Sequence, residues 1–309
     1  MTQWDIEQRI RQDLRAAGDE PPEALRLIRA KAGVHVYRGL CGGAPAVLKH
    51  FEHADDRREM LNYSILARCG VPAPRVLACG TATLCMEDIG ASEAWRLGAA
   101  ADMADTAVAA ALAHWYFALH ENGADAPELK ALYSERDAIT RESLALLTER
   151  LPEAGATFRY MLERFDALQR LIDAPAQTLT YNDFYWDNLA VSNDKRAAMM
   201  FDFNLMGRGY RLADMRNVCS SLSEAAGAAF TDVYNGLYRQ KHGRSRQEED
   251  GVERQIDGLV SPLFSLISAY AREAFPAWAL EARTQALDGT LLRRAKELLR
   301  RNTRFQTNP

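Results

Sequence analysis

The chain has 309 residues, 48% of them hydrophobic and 26% charged, an ordinary soluble globular composition with length enough for two lobes. Its net charge of −4 provides no global basic field for nucleic acid. Five cysteines without a C-x-x-C spacing and six histidines without paired-ligand spacing favour neither a disulfide framework nor a zinc site.

The N-terminus is charged from Asp5 onward and lacks the apolar core of a signal peptide. No apolar run reaches the ~18 residues that cross a bilayer, so a cytoplasmic location without membrane contact is expected by elimination. Trp4, Ile10 and Leu14 recur at near-helical spacing, which predicts a lead-in helix over residues 3–17, ended by Gly18 and Pro21-Pro22. The period then shortens. Leu25–Arg29, His35–Leu40 and Ala46–Phe51 read as strands, with Cys41-Gly42-Gly43 as a hairpin turn. Asp55–Cys69 reads as a helix stopped by Gly70, followed by strands at Val76–Ala78 and Thr83–Met86. After Gly90 helical periodicity dominates Thr106–His120, Ser134–Glu149 and Thr157–Asp173, and the overlapping Ala-rich stretch Ala99–Ala113, broken by Asp102 and Asp105, also reads as a soluble helix. A hairpin at Leu189–Phe201 is the only clear β element there. Further helices run from Met215 to Arg301, and Arg283–Arg304 reads as a basic amphipathic closing helix. Residues 1–90, with a lead-in at 1–20, therefore form one unit and 91–309 a helical second.

Leu179–Asp202 carries the chemistry. Asp183 follows the apolar approach at Leu179, where a carboxylate can orient a hydroxyl and accept its proton. Asn188 comes five residues later. The hairpin would return Asp202 beside it, so two hard oxygen ligands meet as magnesium prefers. Base, amide and second acid in this order are the kinase arrangement.

The segment resembles the aminoglycoside phosphotransferase and choline kinase superfamily, which shares the protein-kinase-like fold. The matching residues are Tyr181-Asn182-Asp183…Asn188, Phe201-Asp202-Phe203-Asn204, Gly207-x-Gly209 and Asp214. Tyr181 stands where those members carry histidine, and Asn204 where they carry a second acid. The resemblance implies an α+β, bilobal fold with a small, mainly antiparallel β N-lobe and a larger helical C-lobe. It implies Asp183 as catalytic base, Asn188 and Asp202 as Mg2+ ligands, and Asp214 as a buried brace for the loop, with Tyr181 in a supporting role.

The same resemblance implies a lysine on the third strand and a glutamate on the next helix. Lys49 in Ala46-Val47-Leu48-Lys49 and Glu59 answer to these, and strand alternation puts Val47 on the face of Lys49, over the adenine of ATP. Gly33 falls in the turn that would cover the phosphates. Met86 would border adenine, with backbone groups of Glu87 and Ile89 hydrogen-bonded to the base.

Only eleven residues separate Asp202 from Asp214, too few for the activation segment a protein kinase needs. A small-molecule hydroxyl is therefore the expected acceptor, contacted by Tyr185 and Trp186. Trp115 and Trp278 are further aromatic candidates, with Trp115 the more core-like. The expected activity is ATP-dependent phosphorylation of an aminoglycoside-like or related acceptor. Two alternatives are a choline- or amino-alcohol-type kinase and, motivated by Tyr181 and Asn204, a nucleotide-binding pseudokinase.

Overall fold

The computed structural model describes residues 2–303. Helix α1 (Gln3–Ala16) starts at a reciprocal cap, in which the Asp5 N–H donates to the Thr2 hydroxyl and the Thr2 N–H to the Asp5 carboxylate. Strands β1 (Glu23–Lys31), β2 (Val34–Cys41) and β3 (Ala44–Phe51) follow as a meander. A short 3-10 turn, Ala54–Arg57, leads into α2 (Arg58–Cys69), then β4 (Val76–Cys79) and β5 (Thr83–Glu87). The sheet order is β1-β2-β3-β5-β4, antiparallel throughout. Alternation along β3 divides its two faces. Leu48 packs with Ile6, Ile10 and Leu14 of α1, whereas Phe51 joins the core containing Ile65 and Leu66 of α2.

Beyond Glu87 the chain becomes helical. Strand β6 (Trp95–Leu97) precedes α3 (Thr106–Gly123), α4 (Arg141–Arg150), α5 (Gly155–Glu163) and α6 (Phe165–Asp173). Strands β7 (Thr178–Thr180), β8 (Leu189–Ser192), β9 (Ala198–Met200) and β10 (Gly207–Gly209) carry the central loops. Helices α7 (Arg211–Ser221), α8 (Glu224–His242), α9 (Gln247–Tyr270), α10 (Leu280–Leu287) and α11 (Thr290–Thr303) close the fold. The result is the bilobal α+β, protein-kinase-like arrangement expected. Among the described residues no helix is long and apolar enough to cross a membrane.

Several local expectations are corrected. The Leu189–Phe201 hairpin is joined by β6, and β7 pairs with β10, so it is not the sole β element of the second lobe. Three-residue strands are too short to show a period. The expected Ala99–Ala113 helix is interrupted because Asp102 turns back to Arg96 at 2.6 Å and to the Ala99 N–H at 2.8 Å. Asp105 then caps α3 by accepting from the Ala107 and Val108 N–H groups. The Ser134–Glu149 helix divides because Thr140 and Ser143 form a capping box that starts α4 afresh. Thr157–Asp173 divides at Arg164, so that Phe158 and Met161 of one half and Leu168 and Ile172 of the other reach the same core. Arg283–Arg304 divides at Asp288-Gly289, and Arg304 lies outside the described residues.

Candidate active site

Lys49 is where the two lobes meet. Strand β3 aims it away from α1, and its Nζ lies 2.7 Å from Glu59 Oε1 of α2 and 2.8 Å from Asp202 Oδ1. Burial alone would depress its pKa, but the Glu59 and Asp202 carboxylates outweigh this and hold it above the usual lysine value, hence charged. A cavity of about 310 Å³ opens beside it, walled by Val47, Met86, Ile89, Asn188 and Asp202. Val47 and Met86 face each other directly across the β3–β5 ladder. The Glu87 N–H donates to the Arg75 carbonyl at 2.9 Å, so the Glu87 carbonyl and the Ile89 backbone are what this edge can offer a base.

A second cavity of about 290 Å³ shares Lys49 and Asp202 and is walled by Arg29, Lys31, Ala32, Val34 and Arg58. Gly33 makes the β1–β2 turn there. Its φ of +80° favours glycine, and a Cβ there would also have to displace the His53 ring. The basic group Arg29 was not anticipated, although it lies on β1; Lys31 ends that strand and leads into the turn.

Strand β7 delivers the loop that follows. The N–H groups of Tyr181 and Asn182 donate to Asp214 of α7 at 2.7 and 3.0 Å. Asp214 is buried and also meets His120 Nε2 at 3.2 Å, while His120 Nδ1 meets the Tyr234 hydroxyl at 2.7 Å. Tyr181 is fully buried, edge-on to Trp115 and Phe203, and its hydroxyl donates to the Phe201 carbonyl at 2.6 Å. The Phe201 N–H in turn donates to the Asn188 carbonyl at 3.0 Å. Asn182 and Asp202 both adopt positive φ, 66° and 63°. Asn and Asp tolerate this better than other side chains, and such conformations gather at functional loops.

Asn188 and Asp202 therefore line one cavity, an amide side chain beside a carboxylate. Among the described residues no group of three or more His, Cys, Asp or Glu side chains could hold a metal ion. The donor set fits magnesium, a hard cation that takes few protein oxygens and completes its shell with phosphate and water. Asp183 faces the other way. It lines a cavity of about 550 Å³ with Tyr133, Glu135, Tyr185, Arg216 and Trp278. Burial, then the negative charges of Asp202 and Asp187, raises its pKa, which strengthens it as a base.

Tyr185 is exposed and lines this cavity; Trp186 is also exposed but is not on its wall. Trp115 lies in the core and Trp278 on the cavity wall. Glu135 and Arg272, also on this wall, were missed. So was a row of hydroxyls, Ser261, Ser265 and Ser268, whose spacing on α9 was legible as one helix face.

A cleft between a sheet lobe and a helical lobe, with one cavity on either side of the loop, defines a kinase-type phosphotransferase. The family profile of the phosphotransferase enzyme family matches residues 25–249, and the chain belongs to that family: it is a small-molecule phosphotransferase. No curated protein matches it by sequence. Among solved structures it is similar to macrolide 2′-phosphotransferase MphH from Brachybacterium faecium, at 19% identity and TM-score 0.56 over 91% of this chain and 98% of that one. A choline/ethanolamine kinase family protein from Mesorhizobium loti aligns at 14% identity and TM-score 0.58 over 97% and 99%. Spectinomycin phosphotransferase in its AMP-bound form aligns at 11% identity and TM-score 0.55 over 99% of both chains. At these identities the likeness speaks for the fold.

Proposed function

We propose that this chain transfers the γ-phosphate of ATP to a hydroxyl of a small, aminoglycoside-like or related acceptor. The observation that carries the reading is that one loop lines two cavities, with Asp183 on the wall of one and Asn188 beside the Lys49–Asp202 pair on the wall of the other. Adenine packs against the sheet face formed by Val47 and Met86, and Lys49, Arg29 and Lys31 neutralise the phosphates of ATP, beneath the turn that Gly33 allows. The acceptor hydroxyl sits against Asp183 and attacks phosphorus as its proton passes to the carboxylate. The new O–P bond forms as the bond to the β-phosphate oxygen breaks, ADP leaves, and Asp183 returns the proton to water. Asn188 and Asp202 would hold Mg2+, which supplies charge neutralisation on the phosphates.

Tyr181 and Asp214 serve the loop rather than the reacting atoms. The spectinomycin enzyme's AMP complex supports adenine-nucleotide use by this fold. A choline- or amino-alcohol-type acceptor is the second reading, favoured by Glu135 beside Tyr185 and Trp278. A nucleotide-binding pseudokinase would have no need of a base facing an open cavity. An ADP-release screen across aminoglycosides, amino alcohols, sugars and nucleosides tests the proposal. Acceptor-dependent turnover should be lost in Asp183→Asn; full turnover in that variant, or no acceptor-dependent turnover at all, would overturn it.

A further inference from the structure

We propose that Arg58 is a further catalytic residue, whose guanidinium holds the phosphoryl group as it crosses from the nucleotide to the acceptor. This rests on the reading of the cleft as a nucleotide site facing an acceptor site.

The transferred group has to pass from the cavity of Lys49 and Asp202 to that of Asp183. Two pairs of residues mark the border. Asn204 lines the cavity of about 290 Å³ beside Lys49 and Asp202, and its neighbour Leu205 lines the cavity of about 550 Å³ beside Asp183. The Leu205 carbonyl accepts from Asn182 Nδ2 at 3.0 Å, which fastens this border to the residue before Asp183. The second pair is Arg58 and Tyr133. Arg58 lines the first cavity and Tyr133 the second, and the Arg58 guanidinium carbon lies over the Tyr133 ring, 5.8 Å from its centroid. Arg58 thus reaches from α2 of the sheet lobe to the helical lobe. Tyr133 is itself fixed: its carbonyl accepts from the Arg208 N–H at 2.8 Å, and a Cβ on Gly207 would collide with that carbonyl.

Arg58 is exposed and uncommitted: among the described residues it makes no hydrogen bond and no ion pair, whereas Lys49 Nζ is shared by Glu59 and Asp202. A guanidinium over a ring keeps its N–H edge, which matches two phosphate oxygens at once. Arg58 also opens α2, at the positive end of the helix dipole, where a cation is disfavoured until an anion joins it. Arg29 is shared with the cavity of Val47 and Met86, which suits it to the bound nucleotide; Arg58 stands on the side of Tyr133. The group in flight carries its charge on three oxygens, between the forming bond to the acceptor oxygen and the breaking bond to the β-phosphate oxygen. Arg58 donates to those oxygens and keeps its own protons, while the acceptor's proton goes to Asp183. A contact made with the group in flight speeds the chemical step more than it tightens ATP.

The test uses the full chain, Mg2+ and a fluorescent ADP, titrated with and without aluminium fluoride, which stands in for the phosphoryl group in flight. Wild type should bind the nucleotide about tenfold or more tightly when the fluoride is present. Arg58→Ala, at an exposed position, should melt as wild type does, bind ADP alone as wild type does, and lose that gain. A variant that keeps the gain, a variant that weakens ADP equally in both conditions, or a wild type without any gain would overturn the role of Arg58 and leave the nucleotide site standing. Failure of wild type to bind ADP in either condition would overturn the reading of the cleft and this proposal together.

Discussion

The Tyr181 hydroxyl donates to the Phe201 carbonyl at 2.6 Å, tying the strand before Asp202 to the residue two positions before Asp183. Tyr181→Phe keeps the ring against Trp115 and Phe203 but leaves that carbonyl without its donor. The expected loss is about 1–3 kcal/mol of stability. Turnover should fall on the order of tenfold, an outcome of about 1.4 kcal/mol. Urea unfolding and steady-state kinetics check this; unchanged kcat would mean the tie does not position the loop.

Removing Glu59 strands Lys49 in the interior. Glu59 is 1% exposed, and taking away one partner of a buried pair costs about 3–5 kcal/mol. Glu59→Ala should be destabilised by that order and should raise KM for ATP. Asp202 still holds Lys49 at 2.8 Å, so the loss should stay short of complete unfolding. Chemical denaturation and nucleotide titration read the two effects separately.

Metal affinity should depend on the nucleotide. With one amide and one carboxylate as proposed ligands, Mg2+ should bind weakly to the protein alone and at least tenfold better in the presence of a non-hydrolysable ATP analogue. Isothermal titration with and without the analogue decides it. Equal affinity in both would place further ligands in the protein.

Glu135 and His120 should tilt the pH dependence of stability in opposite senses. Burial lifts the Glu135 carboxyl from its ordinary 4.5 to about 7, so between these values the folded state binds the extra proton. Its contribution is therefore full below 4.5 and is lost as pH rises toward 7. Glu135→Gln should accordingly stabilise the fold above pH 7, by about 1–3 kcal/mol, with the gain vanishing in acid. Buried His120 is instead held below its ordinary 6.5, despite the opposing pull of Asp214, so it stays neutral. Stability from that site is complete above 6.5 and declines as pH falls below it. Melting curves of wild type, Glu135→Gln and His120→Gln across this range separate the two slopes.

The elements with a strong period were legible in the chain. Ile10 and Leu14 announced α1, and the β1–β3 meander followed from alternation and its glycine turn. Asp183, Asn188, Asp202, Lys49 and Glu59 could be named as candidates because motif order survives in one dimension. Glu135 left no such trace: it reads as one more charged residue in a helical stretch, and only the packing of β10 and α9 around that turn makes it a cavity wall. Breaks at Thr140 and Arg164 were hidden because capping side chains and shared cores decide them, not periodicity.

Asp13 of α1 accepts from the Thr81 N–H at 2.8 Å, the Thr81 hydroxyl at 2.7 Å and the Ala82 N–H at 2.9 Å, all in the turn between β4 and β5. Strand β5 runs straight from that turn to Met86 and Glu87. One carboxylate on an outer helix thus sets the starting point of the strand whose far end forms the cleft edge. The leading helix works as a tensioner: slackening it with Asp13→Ala, at a site remote from any reacting atom, would be felt as a shift in the height of the cleft roof.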